Sequence, residues 1–189
     1  MREKSKKPRW SLSGSAGTGK TTLARALADV FDVPYLEEGF RRRLEQGLNP
    51  HSLSRHEHLD LLLELYDEAL DEVRQACKDY GGFVADRSPV DYLAFWFYYG
   101  FAHEQILSEE LAGRVERDLG YFGKVIVLPW GAIELESDGY RSANKWIQLH
   151  YQGLLEGLVK RRIPADKLLM VPDDLVTVET RLEWVIRQA

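Results

Sequence analysis

Apolar residues recur along the chain in two rhythms. Five short runs, Trp10 to Ser13, Pro34 to Leu36, Gly82 to Ala85, Lys124 to Leu128 and Lys167 to Val171, are rich in β-branched or apolar residues and bounded by glycine, proline or charge. They are predicted strands. Between them the spacing changes to three and four residues, the mark of a helix with one apolar face. Leu23, Ala24, Leu27, Ala28 and Phe31 carry it, and a short segment near Phe40 to Gln46 follows. A long helix then places Leu59, Leu62, Leu63, Tyr66, Leu70, Val73 and Cys77 on one stripe, with Glu64, Asp67, Asp71 and Arg74 off it. Further helices are expected from about Pro89, from about Ser108, over Ser142 to Lys160, and from about Val176. Strands alternating with helices along the whole length predict an α/β fold, a parallel sheet covered by helices on both faces.

Composition narrows the picture. At 189 residues and 44% hydrophobic content the chain suits one complete core, so residues 1–189 are expected to form a single domain. The basic start, residues 1–8, reads as a flexible solvated tail; it lacks the apolar run of a signal peptide. No segment approaches the roughly 18 apolar residues of a membrane span. A net charge of -5 opposes a large footprint for duplex nucleic acid. Cys77, the single cysteine, has no partner for an internal disulfide, and a reducing cytoplasm fits.

The most specific chemical feature lies between the first predicted strand and the first helix. Gly14, Ser15, Ala16, Gly17, Thr18, Gly19, Lys20 and Thr21 form a complete G-x-x-x-x-G-K-[ST] phosphate loop, followed by Thr22. Glycines there allow positive φ and turn successive backbone N–H groups around an anion, Lys20 reaches the β- and γ-phosphates, and the Thr21 hydroxyl ligates Mg²⁺. The loop opens a helix, whose N-terminus also favours phosphate. ATP and Mg²⁺ are the cofactors this loop predicts.

A second carboxylate is needed at a neighbouring strand tip, to hold Mg²⁺ or to take a proton from the attacking group. Asp86 follows Gly82 to Ala85 directly and meets that need; Arg87 beside it is placed to clamp an anionic or sugar-bearing acceptor. Asp91 either contacts the acceptor or closes a capping box with Ser88, where Pro89 takes the first helical position. After the second strand, Glu38 and Arg41 are candidate acceptor contacts, with a surface salt bridge as the alternative, and adjacent Arg42 and Arg43 span too wide an arc to share that face. Most of the aromatic stretch Tyr92 to Phe101 belongs in the core, with one or two rings available to stack on a flat base. Residues 130–142 form a candidate lid in which Arg141 neutralises charge on the transferring phosphoryl group, with a plain surface loop as the alternative. His56-Glu57-His58 lacks the spacing of a metal-binding helix and is assigned to a solvated helix start.

Taken in order, Gly14 to Ala24, Glu38 with Arg41, Asp86 to Asp91, and Asp138-Gly139-Tyr140-Arg141 resemble the P-loop kinases of the nucleoside- and nucleotide-kinase type. The closest look is to the AAA-named ATPase and kinase-like domains related to nicotinamide-riboside kinases. The resemblance implies a three-layer P-loop NTPase fold with a five-stranded parallel sheet, an ATP–Mg²⁺ donor site, and an acceptor pocket over the second and third strands closed by an arginine-bearing lid. It carries phosphate and metal binding to Lys20 and Thr21, the strand-tip acid to Asp86, its phosphate- or sugar-contacting neighbour to Arg87, and the lid arginine to Arg141. The arginine-finger and sensor pattern of oligomeric motor ATPases is absent, so no motor is implied.

The leading expectation is an ATP-dependent kinase for a nucleoside-like or nucleotide-like small molecule. A regulatory nucleotide-binding ATPase is the alternative, and a polynucleotide end kinase, which needs a basic strand-tracking groove, is third. The acceptor, the choice of ATP over GTP, and a monomer or homodimer are left open.

Overall fold

The computed structural model describes residues 7–49, 52–133 and 144–188. Its elements run β1 (Arg9–Ser13), α1 (Lys20–Phe31), β2 (Tyr35–Leu36), α2 (Gly39–Glu45), α3 (Arg55–Asp79), β3 (Phe83–Asp86), α4 (Pro89–Tyr98), α5 (Gln105–Asp118), β4 (Lys124–Val127), α6 (Lys145–Arg162), β5 (Leu168–Met170) and α7 (Val178–Gln188). All five expected strands form, and every pairing is parallel in the order β2-β3-β1-β4-β5. The chain leaves β1 toward one side of the sheet and crosses to the other after β3. That reversal opens a crevice at the carboxyl ends of the strands beside β1. Register places Leu12 of β1 opposite Asp86 of β3, so the residues that follow the two strands emerge side by side.

Alternation along the strands divides the core. Trp10, Leu12, Val84, Ile126 and Leu128 pack with Leu23, Leu27 and Val185 from α1 and α7. Val125 and Val127 face the other way, onto a larger cluster built from α3, α4, α5 and α6. Two helical layers around one sheet make the expected three-layer α/β fold. Within α3 the buried face differs from the expected stripe: Leu61, Leu65 and Ala76 are buried with Leu62, Tyr66, Leu70 and Val73, while Leu59, Leu63 and Cys77 are partly exposed. The leucine-rich start of α3 offers two overlapping stripes, and contact with α4 and β3 selects between them. The helix begins at a capping box between Ser54 and Glu57, which places exposed His56 and half-buried His58, 5.3 Å from the Tyr99 ring, in its first turn. Among the described residues no helix is long and apolar enough to cross a membrane.

Candidate active site

The loop from Gly14 to Gly19 joins β1 to α1 in the conformation its glycines permit, with φ of 143° at Gly14, 75° at Gly17 and 86° at Gly19. Gly19 precedes α1 without a side-chain cap, so the first N–H groups of the helix face the open end of the crevice. A Cβ on Gly19 would lie 3.1 Å from Arg181 Nη1, and one on Gly14 3.1 Å from the Leu128 carbonyl, so the loop is packed from both flanks. Lys20 is buried and folds back across the loop, donating from Nζ to the Ser15 carbonyl at 2.7 Å. Thr18 Oγ1 donates to the same carbonyl at 3.0 Å.

Thr21, one residue on, donates its hydroxyl to Asp86 Oδ2, and Tyr35 donates to that oxygen at 3.4 Å. Burial, and then the Asp86 charge, push the Tyr35 hydroxyl well above the usual phenol range, so it remains a neutral donor. Asp86 Oδ1 is buried and accepts no hydrogen bond from the described residues. An orphaned carboxylate oxygen beside a hydroxyl and a phosphate loop is an all-oxygen donor set, which suits a hard cation such as Mg²⁺ that takes few protein ligands and shares the rest between phosphate and water. Among the described residues no group of three or more His, Cys, Asp and Glu side chains is placed to hold a metal ion.

Arg87 sits at the tip of β3 with φ of 139°, a conformation that costs a non-glycine residue about 1–3 kcal/mol and is retained only where its surroundings enforce it. Its surroundings are close. Nη1 donates to the Gly14 carbonyl at 2.6 Å and to Asp91 Oδ1 at 3.0 Å, Nε lies 3.2 Å from Glu38 Oε1, and the guanidinium stacks 5.1 Å from the Phe95 ring centre. Burial disfavours the guanidinium charge, but the Glu38 and Asp91 carboxylates outweigh it and hold Arg87 firmly protonated. The clamp expected to reach outward is therefore engaged inward, tying the phosphate loop to the start of α2 and to α4.

Asp91 is fully buried. It accepts from the Ser88 N–H at 2.9 Å, the Ser88 hydroxyl at 2.8 Å and the Ser13 hydroxyl, closing the capping box of α4 as well as pairing with Arg87. Of the two roles open to it in the sequence, the structure places it in the cap. Glu38 is also buried, and it lines a narrow hollow of about 10 Å³ whose other walls are Phe40, Leu62, Leu65, Tyr92, Phe95 and Tyr99. Phe95, Phe97, Tyr98 and Tyr99 are half-buried, and of these Phe95 and Tyr99 reach the hollow, whereas Tyr92, Leu93, Trp96 and Phe101 are core. Arg41 pairs with Glu45 at 3.0 Å on the exposed side of α2, and Arg42 and Arg43 pair with Glu72, Glu64 and Glu68 of α3. Arg141 and most of the candidate lid, from residue 134 onward, lie outside the described residues.

Four contributors escape a motif search. Gln148 and Gln152 of α6 accept N–H groups of the phosphate loop, Tyr151 between them lies 3.1 Å from Asp91 Oδ1, and Arg181 of α7 donates to the Thr18 carbonyl at 2.6 Å and to the Leu175 carbonyl at 2.6 Å. The signal was present in faint form. Gln148 and Gln152 share the buried stripe of α6 with Leu155 and Val159, and Arg181 shares that of α7 with Val185. A polar side chain on an apolar stripe has a buried partner to satisfy.

The same fold occurs in solved structures. NadR in complex with NR is 18% identical with a TM-score of 0.75, over 97% of this chain and 50% of that one, so the chain spans half the NadR length. A deoxyadenosine kinase from M. mycoides, with dCMP and dCDP bound, is 14% identical with a TM-score of 0.62, over 95% of this chain and 97% of its own. Thymidylate kinase from Ehrlichia chaffeensis is 14% identical with a TM-score of 0.60, over 96% and 98%. At such identities the likeness is one of fold, that of the P-loop nucleoside and nucleotide kinases. No curated protein sequence matches the chain. The family model described as AAA domain matches residues 9–166, and with a phosphate loop, a strand-tip acid and a parallel sheet inside that span, the chain belongs to the AAA domain family.

Proposed function

We propose that the protein transfers the γ-phosphoryl group of ATP to a hydroxyl of an uncharged, nucleoside-like acceptor. The observation that carries this reading is the sharing of work between two strand-tip carboxylates. Asp86 is engaged by Thr21 on the phosphate-loop side and keeps one buried oxygen without a partner among the described residues, while Glu38 faces an aromatic hollow one strand away. Thr21 and Asp86 would hold Mg²⁺, which when bound supplies charge neutralisation on the phosphates. Lys20 and the N-terminal N–H groups of α1 bind and orient the triphosphate.

Among the described residues Glu38 is the one charged group lining the aromatic hollow, so it orients the acceptor hydroxyl and takes its proton as the oxygen bonds to the γ-phosphorus and the bridging P–O bond to ADP breaks. Phe95 and Tyr99 supply flat, half-buried surfaces for a base. An uncharged acceptor is favoured over a nucleotide because the buried cation nearest the cavity, Arg87, is already matched by Glu38 and Asp91. The test is ATP consumption across a panel of nucleosides and nucleotides, with Lys20→Ala as control. A nucleoside is expected to stimulate turnover, and Lys20→Ala to abolish it while leaving the circular dichroism spectrum intact. Background consumption with every acceptor in the panel sinks the kinase reading and leaves the regulatory ATPase.

A further inference from the structure

Two N–H groups of the phosphate loop are held by a helix more than a hundred residues away in sequence. Gln148 Oε1 accepts the Ala16 N–H at 3.0 Å and Gln152 Oε1 accepts the Ser15 N–H at 2.8 Å; the two side chains stand one turn apart on α6, 7% and 2% exposed. The Gln152 amide has one arrangement only. Its Nε2 donates to the Leu128 carbonyl at 3.0 Å and to Glu156 Oε1 at 3.0 Å, so the opposite end must be the oxygen. Tyr151 fixes the same face of α6, stacking on Phe95 at 4.7 Å between ring centres.

A trans peptide carries its N–H and its C=O on opposite sides of one rigid plane. Pinning the Ala16 N–H toward α6 therefore turns the Ser15 carbonyl the other way, where it accepts Lys20 Nζ at 2.7 Å. Pinning the Ser15 N–H likewise turns the Gly14 carbonyl toward Arg87, which donates to it at 2.6 Å. Each glutamine thus sets, through one peptide plane, the position of one buried cation. We propose that Gln148 and Gln152 are positioning residues, Gln148 for Lys20 and Gln152 for Arg87. The inference rests on the donor-site reading above.

The experiment compares wild type, Gln148→Met and Gln152→Met, near-isosteric changes that remove the acceptor oxygen. Binding of inorganic tripolyphosphate with Mg²⁺ is measured by titration calorimetry, and thermal unfolding is followed alongside. Tripolyphosphate tests the loop without a base. Gln148→Met is expected to weaken its binding about tenfold, the equivalent of one misplaced charge-assisted contact, and Gln152→Met to weaken it less, because its peptide plane faces Arg87. A lower unfolding midpoint with unchanged affinity in both variants would mean that the glutamines only hold the fold, and overturns the proposal. Equal losses overturn the assignment of each glutamine to one cation. Tighter binding in the variants would show that the glutamines compete with phosphate for the loop, and also overturns it. If wild type itself binds neither tripolyphosphate nor MgATP, the donor-site reading fails first, a result distinct from normal wild-type binding with unaltered variants.

Discussion

Replacing Arg87 with methionine tests how the two halves of the site are held together. The guanidinium is 6% exposed and lies within 3.2 Å of Glu38 and 3.0 Å of Asp91. Methionine fills much the same space but removes the guanidinium that both buried carboxylates face and the donor to the Gly14 carbonyl. Glu38 borders a hollow of only about 10 Å³ and Asp91 is held by Ser13 and Ser88, so neither carboxylate can relax far. Breaking one side of a buried ion pair costs about 3–5 kcal/mol, a large share of the roughly 5–15 kcal/mol that stabilises a typical domain. The loss is read from the midpoint of urea unfolding at pH 7, with the slope unchanged. Adding Glu38→Gln removes one of the two carboxylates that faced the guanidinium and should recover at least about 1 kcal/mol. A loss below about 1 kcal/mol in the single variant, or no recovery in the double, refutes the view of Arg87 as the charge that binds the cluster.

Gly19→Ala places a Cβ 3.1 Å from Arg181 Nη1 and 3.3 Å from Ile133 Cδ1 at a φ of 86°, so it should cost more than about 1 kcal/mol and weaken MgATP binding; native stability and affinity together would refute the packing. Burial raises the hydroxyl pKa of Tyr66, Tyr92 and Tyr151 in the folded protein. For such groups the folded state keeps its protons above the unfolded pKa of about 10, so stability is full below that pH and falls as pH rises beyond it. Urea unfolding between about pH 8 and 11 should show that decline, and the near-ultraviolet phenolate signal should stay incomplete until the chain unfolds; full ionisation of all the tyrosines in a native protein would contradict it.

The strands were legible because those buried on both faces read as short apolar runs with clear boundaries, and β1, β3 and β4 are such strands. The phosphate loop was legible because its chemistry is contiguous, and Asp86 because a carboxylate at the end of an apolar run stands at a strand tip wherever the strand lies in the sheet. What escaped depends on register between distant segments. The sequence cannot say that Gln148 and Gln152 meet Ala16 and Ser15 across separations of 132 and 137 residues, or that Arg87 turns inward to Gly14, 73 residues earlier. Asp91 shows the same limit: its spacing from Ser88 fits a capping box and its position fits an acceptor contact, and only the packing of Ser13 and Arg87 against it decides.

Asp86 also divides the site electrostatically, and the division bears on acceptor choice. On the side of α1 lie Lys20 and the helix N-terminus, both favourable to a polyanion. On the other side, among the described residues, the ion pairs set the carboxylates of Glu38 and Asp91 against the guanidinium of Arg87, and the formal charge of these three side chains is negative before Asp86 is counted. In the proposed reaction a triphosphate is drawn to the first side only. A neutral nucleoside enters the second without penalty, but after transfer it carries a phosphoryl group facing that surplus of carboxylate. Two like charges about 4 Å apart repel by about 4 kcal/mol at an effective dielectric of about 20, enough to favour departure of the product over its retention. On the proposed function a nucleotide acceptor would meet the same repulsion on entry, so selection by charge would precede selection by base.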